Sequence, residues 1–201
     1  MNRVIWIFGD SFSSSSWTKL LGDRFGYEVK NLSKNKTCNY QIFDDFCGVC
    51  DLINSNDIVI VGWGKVTNFR MAVDNEFVSY DINDLGDEHI DSLFIENLTR
   101  DRQSEKWCEQ IYYYENILDE LAKTKRFSLF FWSSNEDRLI YPARPSFKSK
   151  RSYLCNESTT CLVKYFEENG ATVIDNMFDE VGNQIVANKF YEEINTRIHS
   201  L

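Results

Sequence analysis

Asp57-Ile58-Val59-Ile60-Val61-Gly62 is the segment that most limits what this chain can fold into. Its four consecutive β-branched residues show no polar alternation. A run of that kind is a strand covered on both faces, and such strands belong to parallel sheets packed between helices. Other apolar runs of strand length are spaced around it: Val4 to Phe8, the weaker Tyr27 to Leu32, Phe127 to Trp132, and Ala171 to Ile174. Helical spacing fills the gaps. Trp17, Leu20, Leu21 and Phe25 share a face within Ser16 to Phe25, and Trp107, Ile111, Tyr114, Ile117, Leu118 and Leu121 do so within 104–124. Thr159 to Asn169 reads as a further helix stopped by Gly170, and Glu180 to Ile198 carries Ile185, Phe190, Ile194 and Ile198 on one stripe. This alternation predicts an α/β domain, a three-layer α/β/α sandwich around a five-stranded parallel sheet of the flavodoxin-like kind.

With 201 residues the chain is sized for one domain, 1–201. Two stretches break the alternation and are expected to be loop insertions, at about 71–103 and 133–158. The first is acidic and irregular, with Asp74, Glu76, Asp81, Asp84, Asp87, Glu88 and Asp91; the second holds Pro142, Pro145, Arg138, Arg144, Lys148, Lys150 and Arg151. Each follows a strand, so each is expected at the carboxyl edge of the sheet, where open α/β folds bind ligands. For the basic cluster the plainer alternative is a solvated loop offsetting an acidic protein. The chain has 31 acidic against 22 basic residues, a net charge of −9, which argues against a nucleic-acid partner.

Val4 to Phe8 runs straight into Gly9-Asp10, too short for a signal-peptide core or a membrane span, so a cytoplasmic location with reduced thiols is expected. The six cysteines include Cys47-Gly48-Val49-Cys50. Cys155 and Cys161 would complete a four-thiolate zinc set only with a second pair of unusually wide spacing. Burial as small hydrophobic side chains is the expectation, and no metal is assigned.

Ile7-Phe8-Gly9-Asp10-Ser11-Phe12-Ser13 carries the chemistry. Here a buried strand ends at a glycine that allows a tight turn, and a serine follows near a helix start whose amides can hold an oxyanion. Taken alone, Ser and Asp after a strand are also ordinary helix caps. Placed near the N-terminus, Gly9-Asp10-Ser11-Phe12-Ser13 resembles the first block of the SGNH (GDSL-type) hydrolases. Asn31-Leu32-Ser33-Lys34-Asn35-Lys36-Thr37-Cys38-Asn39-Tyr40-Gln41-Ile42 is similar to the second block, with Asn35 or Lys36 where members have a glycine. Asp57 to Gly62 followed by Trp63-Gly64-Lys65-Val66-Thr67-Asn68 resembles the third, with Gly64 two residues after Gly62 and Asn68 nearby in place of the usual asparagine. The resemblance runs from residue 3 to about 195.

What the resemblance implies is hydrolysis of an ester or O-acyl group, on an acylated glycan or lipid, by a serine nucleophile with no metal or organic cofactor. Ser11 would attack the carbonyl. Asp10, Lys36, Gly64 and Asn68 would line the oxyanion and substrate site, and Arg138 and Arg144 would favour an anionic small-molecule or glycan substrate. The last block departs from the pattern. Asp175 fits the acid, but counting back from Gly182 puts Met177 at the base position, and a thioether cannot take the serine proton. The chain has two histidines. His89, in the acidic stretch, is the candidate replacement base; His199, at the C-terminal end, reads as a favourable charge at a helix end. Asp175, Asp179 or Glu180 acting directly on the serine is a further alternative. The last is a pseudoenzyme that uses the same pocket to bind a carbohydrate, an acyl ligand or a protein.

Overall fold

The computed structural model describes residues 3–35, 37–64, 68–73, 76–81, 100–133, 153–155, 162–175 and 177–199. Their elements run β1 (Val4–Phe8), α1 (Trp17–Phe25), β2 (Glu28–Asn31), α2 (Asn39–Val49), a 3-10 turn (Cys50–Leu52), β3 (Ile58–Trp63), β4 (Asn68–Val73) and β5 (Glu76–Asp81). There follow α3 (Arg100–Lys125), β6 (Ser128–Ser133), α4 (Leu162–Glu168), β7 (Val173–Ile174), β8 (Met177–Phe178) and α5 (Glu180–His199).

Four parallel strands form the central sheet in the order β2-β1-β3-β6. Ile5 pairs with Val29 on one side and Ile58 on the other, and Ile58 pairs in turn with Ser128. The apolar runs are continuous because both faces are covered. Ile5, Ile7, Ile58, Ile60, Phe130 and Trp132 point into a core closed by α1, α4 and α5. Trp6, Phe8, Val59, Val61, Leu129 and Phe131 point the other way, against α2 and α3. The period of two along each strand thus divides one apolar run between two cores. The result is the three-layer α/β/α architecture expected.

The expected fifth strand is a correction. Residues 171–174 do not join the sheet; Val173 and Ile174 instead pair antiparallel with Phe178 and Met177. The physical reason lies at Asp175, which adopts φ 50°, a turn conformation that aspartate tolerates better than most residues. The outer edge of β6 is met instead by Tyr153, bridged in parallel to Phe131, with Leu154 N–H donating to the Phe131 carbonyl at 2.7 Å. The Tyr153 hydroxyl donates to buried Glu115 on α3, and Cys155 N–H donates to Glu193 on α5 at 2.9 Å. Residues 153–155 therefore hold both helical layers to the sheet edge.

Two further corrections concern loops. Part of the acidic stretch is not irregular, because β4 and β5 pair antiparallel from Asn68↔Asp81 to Val73↔Glu76. The segment after β2 contains α2, a helix that the spacing of apolar residues did not announce. At the opposite end of the sheet, Asp57 is buried and accepts from Val4 N–H (3.1 Å), Trp6 Nε1–H (3.1 Å) and Asn54 N–H (2.9 Å). It ties the start of β1 to the start of β3. Among the described residues, no helix is long and apolar enough to cross a membrane.

Candidate active site

The order β2-β1-β3-β6 reverses direction between β1 and β3, and in open α/β sheets the crevice beyond the carboxyl ends at that point is where ligands bind. β1 delivers Gly9-Asp10-Ser11 there, and β3 delivers Gly64.

The serine turn is fixed from several sides. Asp10 is buried; its Oδ1 accepts from Phe12 N–H at 3.1 Å, and its carbonyl accepts from Ser13 N–H at 3.0 Å and Ser14 N–H at 3.1 Å. The aspartate thus caps a single helical turn directly after the strand. The chain beyond β2 extends the sheet pairing along it, with Leu32 N–H donating to the Ile7 carbonyl (2.8 Å) and Lys34 N–H to the Gly9 carbonyl (3.1 Å). Asn31 Nδ2 donates to the Ser13 carbonyl at 2.9 Å, and Trp17 Nε1–H donates to the Phe12 carbonyl at 2.8 Å. Ser11 itself is half-buried. Among the described residues, neither its hydroxyl nor its amide has a hydrogen-bond partner, although its carbonyl accepts from Ser14 Oγ at 2.7 Å.

Glycines make room for this turn. A Cβ on Gly9 would stand 2.2 Å from Ser13 Oγ, and one on Gly62 would stand 2.4 Å from both Ser13 Oγ and Trp132 Nε1. Ser13 and Trp132 are wholly buried, and among the described residues those two polar atoms have no partner. Gly64 packs against Asp10, its Cβ position lying 3.2 Å from Asp10 Oδ2. The Gly64 amide donates to Asn39 Oδ1 at 2.9 Å, and its carbonyl accepts from Asn39 Nδ2 at 3.2 Å. That amide is therefore committed to Asn39 and does not point an N–H at an oxyanion. Gly64 instead seats the carboxylate beside the serine.

The segment expected to supply the base is built differently from the family pattern. Asp175 is exposed at the tip of the β7–β8 hairpin, and Met177 is exposed on the strand that leaves it. The hairpin abuts the serine turn, since Phe178 packs on Phe12 with ring centroids 5.4 Å apart. Asp179 is the N-cap of α5. Its Oδ1 accepts from Gly182 N–H at 2.7 Å and Thr172 N–H at 3.2 Å, and these two backbone donors, Gly182 first, hold its carboxyl below the usual carboxylate range. Asn183 completes the junction, accepting from Trp17 N–H at 2.8 Å and donating to the Phe178 and Asp179 carbonyls at 2.7 and 2.8 Å. The start of α5 is thereby tied to the start of α1, just behind the serine turn.

His89, Lys36, Arg138 and Arg144 lie outside the described residues, as do Lys148, Lys150, Arg151 and Cys161. Asn68 opens β4, and His199 lies in the last turn of α5. The cysteines divide. Cys38 and Cys155 are buried, but Cys47 is exposed and Cys50 half-buried, so the CxxC pair does not act as core packing alone. Cys155 belongs to the core on the α5 face and Cys50 packs on the opposite one, so the sheet separates them. Among the described residues, no three His, Cys, Asp or Glu side chains gather as a metal site. Sequence reasoning singled out the serine turn but not Asn39, Ser13, Trp132 and Asn183, whose packing and hydrogen bonds depend on partners far away in the chain.

By its sheet order and its helical layers, the domain has a three-layer α/β/α fold with the serine turn at the end of its first strand. No protein-family model matches the sequence, and no curated protein matches it. Among solved structures, the chain is similar over 96% of its length to a protein from Desulfitobacterium hafniense described as a lipolytic protein of the G-D-S-L family; 99% of that chain is covered, at 13% identity and a TM-score of 0.45. The same 96% is similar to 47% of the Bacillus subtilis protein YxiM, at 15% identity and a TM-score of 0.38.

Proposed function

We propose that the chain is a serine acyl hydrolase that cleaves an ester or O-acyl group. The observation that carries this reading is Ser11. Its hydroxyl and amide stand free of described partners at the switch point of the sheet, on a turn held by Asp10, Asn31, Trp17 and the chain after β2. Nucleophilic attack and oxyanion stabilisation both require groups placed before substrate arrives. Ser11 Oγ attacks the acyl carbon. The Ser11 amide, with Lys36 and Asn68, holds the oxyanion; Asp10 and Gly64 fix the turn rather than donate to it. His89 takes the serine proton and Asp175 orients it, while Arg138 and Arg144 select an anionic acylated substrate.

One observation favours a second reading. With Met177 on the hairpin and Asp179 engaged as a helix cap, the segment before α5 carries no histidine to act as the base. The same pocket would then bind an acylated ligand without turning it over. Steady-state hydrolysis of p-nitrophenyl acetate by wild type, Ser11→Ala and His89→Ala separates the two. Hydrolysis abolished by either substitution supports the mechanism as written. Hydrolysis indifferent to Ser11→Ala overturns it. A wild type that is inactive, but gains activity in Met177→His, establishes the binding reading.

A further inference from the structure

The pair Cys47 and Cys50 lies outside the serine site, with Cys50 only packed against the edge of the core and Cys47 exposed. Cys47 lies in the last turn of α2 and is exposed; Cys50 opens the following 3-10 turn and is half-buried. The helix changes character between them. Val49 leaves helical geometry with φ −125° and ψ 3°, and the Cys50 amide donates to the Cys47 carbonyl, three residues back. Residues three apart on a helical turn are neighbours on its surface, with Cβ atoms roughly 5–6 Å apart, so a small local adjustment brings this pair within disulfide reach. Cys50 also appears among the groups acting electrostatically on Cys47, as neighbouring thiols do. The geometry points to Cys47–Cys50 as a dithiol modification site, closed into an intramolecular disulfide by exchange with a low-molecular-weight disulfide.

The step balances without another reagent. The Cys47 thiolate attacks one sulfur of the small disulfide, whose S–S bond breaks and releases one small thiol. Cys50, deprotonated, then attacks Cys47 Sγ; the mixed disulfide breaks and the second small thiol leaves. Two protein thiols are oxidised, one small disulfide is reduced, and the two protein thiol protons end on the two small thiols.

The surroundings set the character of the pair. Partial desolvation pushes the Cys47 thiol above its ordinary range, and Cys50 and Asp44 push it the same way. Cys50 Sγ lies 4.0 Å from Asp51 Oδ1. Lys125 is drawn off to the Cys50 carbonyl and to Asp51 at 3.5 Å. Little Cys47 thiolate is present at neutral pH, so attack by Cys47 is slow there and accelerates in alkali. The reduced form gains no stability from ionisation of Cys47, so the disulfide once formed resists reduction, unlike that of a redox catalyst with an acidic nucleophilic thiol.

The test equilibrates the full chain in oxidised and reduced glutathione mixtures, traps free thiols by alkylation, and reads the peptide carrying both cysteines by mass spectrometry. The expected result is loss of two hydrogens and of both alkylation sites in that one peptide, with faster closure at alkaline pH. Cys47→Ser, an exposed and tolerated change, abolishes closure and leaves Cys50 alkylated or glutathionylated. The proposal is overturned if wild type holds a stable mixed disulfide on Cys47, if either cysteine cross-links elsewhere, or if both stay alkylatable under oxidising mixtures.

Discussion

Replacing Gly62 by alanine tests the packing beneath the nucleophile turn, and replacing Gly48 tests the opposite sign. A methyl group at Gly62 would stand 2.4 Å from Ser13 Oγ, 2.4 Å from Trp132 Nε1 and 2.7 Å from Trp132 Cε2. The indole cannot yield, because it is wholly buried and wedged edge-on against Trp17 and Phe190, with centroids 6.0 and 5.8 Å away. The Gly62 backbone is held in register with Trp132 by β6. Relief therefore requires shifts of roughly an ångström in a close-packed core, which costs about 1–3 kcal/mol, and the rigidity of the partners places Gly62→Ala at about 3 kcal/mol. A methyl group at Gly48, in α2, meets nothing within 4 Å. There alanine only restricts the unfolded chain and improves helix propensity, for a gain of about 0.5–1 kcal/mol. Urea unfolding followed by tryptophan fluorescence measures both. Ser13→Ala added to Gly62→Ala restores only part of the loss, since the indole clash remains. Gly62→Ala within about 0.5 kcal/mol of wild type, or Gly48→Ala as damaging as Gly62→Ala, would refute the reasoning.

Other outcomes follow from the hydrogen bonds. Asp57→Ala strips the Trp6 indole of its buried acceptor and the Val4 and Asn54 amides of theirs, and urea unfolding should show a loss of about 2–4 kcal/mol. Asn39→Ala releases Gly64 and with it the seat of Asp10, so labelling of Ser11 by a fluorophosphonate should slow by about tenfold or more, while far-ultraviolet circular dichroism stays unchanged. Asp179 has its carboxyl pKa lowered in the folded state, so the cap's contribution is fully present above the unfolded value of about 3.9 and is lost as pH falls through the lower folded one. Acid unfolding curves should accordingly show a shallower dependence for Asp179→Asn than for wild type over that window; identical slopes would remove Asp179 from the cap.

The layers were legible because their signal is local. Ile58 to Val61 announce a strand with two covered faces, and Ile5/Ile7 against Trp6/Phe8 already divide the two cores. The helices α1, α3 and α5 each carry four or more apolar positions at helical spacing. α2 escaped notice because its buried apolar face rests on little more than Ile42 and Phe46, four residues apart. The fifth strand failed for a related reason. Val173 and Ile174 are too few to outweigh a turn-forming Asp175, and the edge of β6 is met by Tyr153. In the site, the serine was readable because glycine, strand end and hydroxyl are adjacent in sequence. Asn39 and Gly64 are 25 residues apart, and Asn183 and Trp17 are 166 apart. No local pattern encodes pairings of that range; only the folded sheet edge brings them together.

The central claim is that Ser11 is an activated nucleophile, and covalent labelling tests it most directly. The full chain is treated with a fluorophosphonate, digested, and the modified residue identified by mass spectrometry, with Ser11→Ala and heat-unfolded protein as controls. The account predicts one phosphonate on the peptide containing Gly9-Asp10-Ser11, placed on Ser11, dependent on the fold and absent from Ser11→Ala. A folded protein that takes up no phosphonate, or takes it up at another residue, would contradict it.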